Sequence, residues 1–155
     1  LRQLQKAAAK MQNSRIVVVT QEKYAEIIDA AKEIGAEVLI NPQPERGISS
    51  SMQIGLEIAK DADACLFTVS DQPWLTAETI IALHDAFQSE NKGMACTVWG
   101  EKTGNPCIFS EKYYKELMAI SGDKGGKQII KKHPEDVAYL KISDERELQD
   151  VDVPL

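Results

Sequence analysis

Apolar residues occur along this chain in short blocks whose internal spacing switches between two periods. Residues 15–20 hold the continuous β-branched run Ile16-Val17-Val18-Val19, which suits a strand covered on both faces. Tyr24, Ile27, Ile28, Ala31 and Ile34 then recur at helical spacing, and Gly35 supplies a C-terminal cap. A second short apolar strand is expected over residues 36–40. Asn41-Pro42-Gln43-Pro44 must be a loop, because its two prolines oppose both helix and central strand. Residues 47–51 lead into a helix with Met52, Leu56 and Ala59 on one side.

The same alternation continues. Residues 64–70 predict a third strand that ends at Asp71-Gln72-Pro73. Thr76 can cap the next helix, whose buried stripe is Ile80, Leu83 and Phe87. Residues 94–99 predict a fourth strand and 106–109 a short fifth. A helix from Ser110 should turn Tyr113, Tyr114, Leu117 and Met118 inward. A glycine-containing loop over 121–126 precedes a short helix through Ile129 and Ile130, then a strand around 137–142. The tail Asp150-Val151-Asp152-Val153-Pro154 alternates like a short strand. The opening ten residues read as helix and carry no initiator Met, so the chain is expected to start inside a larger protein. Strands alternating with helices at this spacing predict one α/β domain, three-layer α/β/α, around a mostly parallel sheet.

Composition narrows the function. The net charge is −6 and no run of Lys or Arg forms a stripe, which argues against a nucleic-acid partner. Cys65, Cys96 and Cys107 are three cysteines with no C-x-x-C pair, so they read as small buried hydrophobes in a reducing compartment. No apolar run is long enough for a membrane helix and no signal-peptide pattern opens the chain, so a cytoplasmic location is expected.

In open α/β sheets, ligands bind beyond the carboxyl ends of the strands. Three polar segments fall there: Asn41-Pro42, the turn from Ser70 to Pro73, and Gly104-Asn105-Pro106. Asp71 is the sharpest candidate. A carboxylate at a strand end can hold Mg²⁺ against nucleotide phosphates, and an Asp that merely caps the chain reversal would look the same. Gly122-Asp123-Lys124-Gly125-Gly126-Lys127 reads either as a phosphate cradle at a helix start or as a glycine-rich turn; it is not a Walker A loop. Ser49, Ser50 and Ser51 could donate to an anion, or one of them could cap the helix. His84 and His133 fit structural or exposed positions, and no Ser-His-Asp arrangement is present. Trp74 could shield a ligand beside Asp71 or serve packing.

Six segments in order then resemble one family, the molybdenum cofactor cytidylyltransferases and their guanylyltransferase cousins, which are MobA-like NTP transferases. They are Asn41-Pro42, the run Gly47-Ile48-Ser49-Ser50-Ser51-Met52, Asp71-Gln72-Pro73, Gly104-Asn105-Pro106, Gly122-Asp123-Lys124-Gly125, and the Asp150 to Pro154 tail. The resemblance implies a nucleotide-binding α/β fold resembling that of nucleotide-diphospho-sugar transferases. It implies transfer of CMP or GMP from the triphosphate to molybdopterin phosphate, with pyrophosphate released. Asp71 would be the Mg²⁺ ligand, with Asp152 preferred over Asp150 as the second. Asn41 would lie near the base and Ser51 near the nucleotide. Asn105, Asp123, Lys124 and Gly125 would face the molybdopterin side. The Asp-Gln-Pro form and the Gly-Asp-x-Gly loop favour CTP over GTP.

The family also opens with a strand and a glycine-rich loop that clamps the triphosphate, a segment of roughly 25–35 residues that is not found in this sequence. Gln53 and Lys127 stand where relatives often carry Arg. Two other readings fit the same residues. One is a nucleotidyltransferase acting on a sugar phosphate. The other is a non-catalytic module that delivers cofactor to an apo-molybdenum hydroxylase.

Overall fold

The hydrophobic blocks become strands and helices in a computed structural model that describes residues 1–151. The chain opens with α1 (Arg2–Ala8) and continues through β1 (Val17–Thr20), α2 (Ala25–Glu33) and β2 (Glu37–Ile40). β1 and β2 pair in parallel, as a βαβ crossover requires. Gly35 ends α2 with φ 75° and its N–H on the Lys32 carbonyl, so a residue without a Cβ stops the helix where the sequence indicates. A short 3-10 turn over Pro44–Arg46 follows; proline fits its first position because that N–H would be unpaired anyway.

Next come α3 (Ile48–Ala59), β3 (Ala64–Phe67) and α4 (Ala77–Ser89). The chain then runs through β4 (Met94–Trp99), β5 (Lys102–Ser110), α5 (Tyr114–Met118), α6 (Lys127–Lys132) and β6 (Val137–Lys141). Four of these strands form one sheet in the order β3-β5-β4-β6. β5 runs antiparallel to both of its neighbours, and β4 pairs with β6 in parallel, so β3, β4 and β6 all point one way. The predicted 106–109 strand is thus the inner part of a nine-residue strand. Pro106 is tolerated inside it because the register slips between Cys96 and Thr97. β3 ends earlier than expected, at Phe67, leaving 68–73 free to turn.

Alternation along the strands builds the three layers. Met94, Cys96, Cys107, Phe109 and Val137 face one side, where they pack with Leu56 of α3, Tyr114 and Leu117 of α5, and Ile129 and Ile130 of α6. Ala95, Ile108 and Ala138 face the other side, against Leu83 of α4. Ala7 of α1 packs on Leu75, Ala77 and Ile80, which adds α1 to the α4 layer. Thr76 caps α4 by accepting from the Thr79 N–H at 3.2 Å, as its sequence predicts. Met118 breaks the expected inward stripe. It is the last residue of α5 and is 43% exposed, because this helix is only five residues long and a preceding 3-10 turn (Glu111–Tyr113) rotates the stripe. Among the described residues no helix is long and apolar enough to cross a membrane.

Candidate functional site

Two groups of polar residues gather where the sequence places the chemistry. The first surrounds the end of β3. Residues 68–73 leave the strand, and the Asp71 carbonyl accepts the Val151 N–H at 2.8 Å. Gln72 is 8% exposed, and its Nε2 donates to Asp150 Oδ1 at 3.2 Å. The C-terminal segment is thereby tied to the Asp71 turn. A 3-10 turn over Glu145–Leu148 anchors that segment, with Leu148 buried against Gly104 of β5. A Cβ on Gly104 would come within 2.6 Å of the Leu148 side chain, so glycine is what lets the tail lie this close.

Asn105 follows Gly104 on the same strand. Because Cys107 pairs with Phe67 at the end of β3, Asn105 lies just beyond that end, beside the turn that carries Asp71. Its carbonyl accepts from Thr97 Oγ1 at 3.1 Å, and Thr97 is fully buried. Trp74, three residues after Asp71, is 42% exposed.

Two oxygens in this turn, Thr68 Oγ1 and Gln72 Oε1, are buried and without a hydrogen-bond partner. A buried acceptor left unmade costs about 1–3 kcal/mol, so such atoms mark a place where a cation or a donor belongs. Asp71 and Asp150 add carboxylate oxygens to the same two segments, and hard oxygens are the donors that Mg²⁺ takes. Among the described residues no three His, Cys, Asp or Glu side chains cluster as a complete metal cage. Asp152 lies outside the described residues.

The second group surrounds the start of α3. Asn41 is 3% exposed and spends its whole amide inside the protein. Its Oδ1 accepts the Gln43 N–H at 2.9 Å, and its Nδ2 donates to both Ser50 Oγ and Ser51 Oγ at 2.9 Å. Neither Ser49, Ser50 nor Ser51 caps the helix; Gly47 occupies that position with φ 90° and no side-chain cap. Ser50 Oγ donates to the Gly47 carbonyl, and the buried Ser49 donates from both its N–H and its Oγ to the Gly122 carbonyl, at 3.2 and 2.7 Å. The Asn41 loop is therefore joined through the first turn of α3 to the loop over 121–126.

In that loop Asp123 and Lys124 are exposed and Gly125 is half-buried. It is a turn rather than a phosphate cradle. α6 has six residues, and the Gln128 and Ile129 N–H groups at its start are spent on the Gly125 and Gly126 carbonyls. Gly126 packs against Phe109, where a Cβ would stand 2.4 Å from the ring's Cζ. Gln53 does not reach toward an anion either: its Nε2 points at the carbonyls of Leu117, Met118 and Ile120. Burial pushes the Cys96 thiol up to about 11 and the Cys107 thiol up to about 12, with the Lys127 ammonium nearby opposing both shifts. All three cysteines are free, and burial keeps the Cys96 and Cys107 thiols protonated, hence poor nucleophiles, at neutral pH. His84 lies beside Asp85, and His133 pairs with Glu116, both as structural residues.

Sequence reasoning missed Thr68 and the bridging role of Gln72. The link from Gln72 to Asp150 spans 78 positions and has no local signal.

The chain is similar to known proteins at two levels. The family model of the MobA-like NTP transferase domain matches residues 1–137. No curated protein matches the chain. Among solved structures, a nucleotidyl transferase from Methanothermobacter aligns with TM-score 0.72 and 19% identity, over 96% of this chain and 74% of its own. Rv0371c from Mycobacterium tuberculosis, in complex with manganese, aligns with TM-score 0.70 and 17% identity, over 88% and 72%. Molybdopterin-guanine dinucleotide biosynthesis protein A from Archaeoglobus fulgidus gives TM-score 0.62 and 12% identity, over 97% and 79%. At these identities the likeness establishes the fold.

Proposed function

The chain belongs to the MobA-like NTP transferase domain family, a family of nucleotidyltransferases, and from that premise we propose that it transfers CMP from CTP to the phosphate of molybdopterin. The observation that carries the reading is the turn after β3. There the segment carrying Asp150 is tied to the Asp71 turn through Gln72 and Val151, and the turn holds two buried oxygens, Thr68 Oγ1 and Gln72 Oε1, with no hydrogen-bond partner. Asp71 and Asp150 would hold Mg²⁺, with Asp152 as a further ligand by the family resemblance. Bound there, the ion would neutralise phosphate charge and help align attacker and leaving group.

In the reaction an oxygen of the acceptor phosphate attacks the α-phosphorus of CTP. One P–O bond forms, the α–β bridging P–O bond breaks, and pyrophosphate leaves with the displaced electron pair. No side chain needs to become covalently attached, so the work of this chain is positioning. Asn41 acts on the base side through the loop it shapes, because its own donors are already spent on Ser50 and Ser51. Ser51 lies at the nucleotide side of the same turn. Asp123, Lys124, Gly125 and Asn105 form the acceptor side, with the exposed Lys124 available to the pterin phosphate. The preference for CTP over GTP rests on the Asp71-Gln72-Pro73 and Gly122-Asp123-Lys124-Gly125 forms. On the same proposal, an apo-molybdenum hydroxylase is the recipient of the product, in a cytoplasmic setting.

The test offers CTP and GTP, each with molybdopterin or a sugar phosphate, to the complete protein with Mg²⁺, and identifies the products by mass. A molybdopterin–CMP adduct is expected. A GMP adduct would overturn the base assignment, and a sugar adduct the acceptor assignment.

A further inference from the structure

One face of α3 grips the segment that leads into the acceptor loop. Ser49 and Gln53 are four residues apart and so share that face. Gln53 Nε2 lies 3.2 Å from the Leu117 carbonyl oxygen, 3.1 Å from that of Met118 and 2.6 Å from that of Ile120. The last carbonyls of a helix lack full intrahelical pairing, so this amide adds a donor at the end of α5, where the Leu117 carbonyl also accepts the Ile120 N–H at 3.4 Å. An amide nitrogen has two hydrogens, so the three carbonyls share them, with Ile120 best placed.

Two residues further on, the Gly122 carbonyl accepts from both the N–H and the Oγ of Ser49. Gly47 closes the contact: a Cβ there would stand 2.4 Å from the Gly122 carbonyl carbon and oxygen and 2.7 Å from Asp123 Oδ1. Four carbonyls within six consecutive residues, 117–122, are therefore held by two side chains of one helix. The first turn of the same helix also carries Ser50 and Ser51, whose hydroxyls accept from Asn41 on the nucleotide side.

We propose that Ser49 and Gln53 are positioning residues for the acceptor, setting the loop over 121–126 in register with the nucleotide side through α3. This rests on reading that loop as the acceptor side of a nucleotidyltransferase. Ser49 and Gln53 touch neither substrate; they act through Gly122 and the end of α5. Loss of either donor lets the loop drift and weakens acceptor binding, while the Asn41, Ser50 and Ser51 contacts stay in place.

The test uses the complete protein and measures KM for CTP and for molybdopterin separately, beside hydrogen exchange of the 121–126 amides. Ser49→Ala and Gln53→Leu are expected to raise the molybdopterin KM about 5- to 10-fold, the equivalent of one lost hydrogen bond. KM for CTP should stay within about twofold on the same scale, and exchange should quicken in 121–126. Gln53→Arg, a donor-only side chain long enough for the same carbonyls, is expected to restore the molybdopterin KM. Both KM values rising together, or loop exchange that does not change, would overturn the clamp in a protein whose wild type is active. A wild type that transfers no nucleotide to any acceptor would instead overturn the nucleotidyltransferase reading on which the clamp rests. Should Ser49→Ala fold poorly, the comparison of Gln53→Leu with Gln53→Arg decides alone.

Discussion

Asp136 is the residue whose removal should do most damage outside the candidate site. It lies at the start of β6, and its carboxylate collects three donors. Oδ1 accepts the Gly93 N–H at 2.9 Å; Oδ2 accepts the Tyr113 hydroxyl at 2.5 Å and the Lys112 ammonium at 2.8 Å. These donors precede β4 and α5, so one carboxylate ties three elements together. Hydrogen bonds from Lys112 and Tyr113, aided by the Gly93 N–H, hold its pKa near about 2, below the ordinary 3.8. A gap of that size corresponds to roughly 2.5 kcal/mol in favour of the folded, ionised form.

The contacts give a similar figure. The Lys112 pair is largely exposed and contributes about 0–1 kcal/mol. Leaving the Gly93 N–H and the buried Tyr113 hydroxyl without an acceptor costs about 1–3 kcal/mol between them. Asp136→Ala should therefore destabilise the protein by about 1–4 kcal/mol at pH 7, or about 2–16 °C in Tm for a chain of this size. Because the folded pKa is depressed, the contribution is fully present above the unfolded value of 3.8 and is lost as pH falls through about 2. Denaturant unfolding of wild type and variant at pH 7, 5 and 3 is the assay. The difference should be equal at pH 7 and 5 and should shrink at pH 3. A difference under about 1 kcal/mol at pH 7, or one that grows as pH falls, would refute the reasoning.

Other predictions follow from single contacts. Gly47→Ala combines φ 90° with a Cβ 2.4 Å from the Gly122 backbone; it should cost about 2 kcal/mol or more, read by Tm, and should quicken proteolysis at Lys124. Leu148→Ala should cost about 2–4 kcal/mol and free the tail that carries Asp150, seen as faster amide exchange at Val151. Cys107, pushed up to about 12 by burial, should resist alkylation at pH 8 until urea unfolds the chain, whereas labelling of the native protein would show that the core opens there.

Much of the fold is written in local pattern. Met94–Trp99 was legible as a strand because six apolar or small residues stand between a glycine and a glycine turn, and both of its faces are buried. The helix after Thr76 was legible because its cap and its Ile80 and Leu83 stripe agree. The full length of β5 was not legible. Gly104 and Pro106 read as breakers, and only the bulge opposite Cys96 and Thr97 lets them stay in a strand. Met118 leaves the inward stripe that helical spacing predicts because it is the last residue of a five-residue helix and stands 43% exposed.

In the site, Asp71, Asn41 and the 121–126 loop were visible as polar breaks at element ends. Their partners were not. Asp150 meets Gln72 across 78 positions, and Ser49 meets Gly122 across 73. Such pairings follow from how the layers stack, which no single segment encodes.

The central claim is that the Asp71 turn organises metal-dependent nucleotidyl transfer. Its most direct test is pyrophosphate release by the complete protein from CTP and molybdopterin with Mg²⁺, compared between wild type and Asp71→Asn. The account predicts release by the wild type that EDTA abolishes, and a loss of at least about 100-fold in the variant, equivalent to about 2.7 kcal/mol of transition-state stabilisation, with Tm nearly unchanged. Equal rates in the two proteins, or release that survives EDTA, would contradict it.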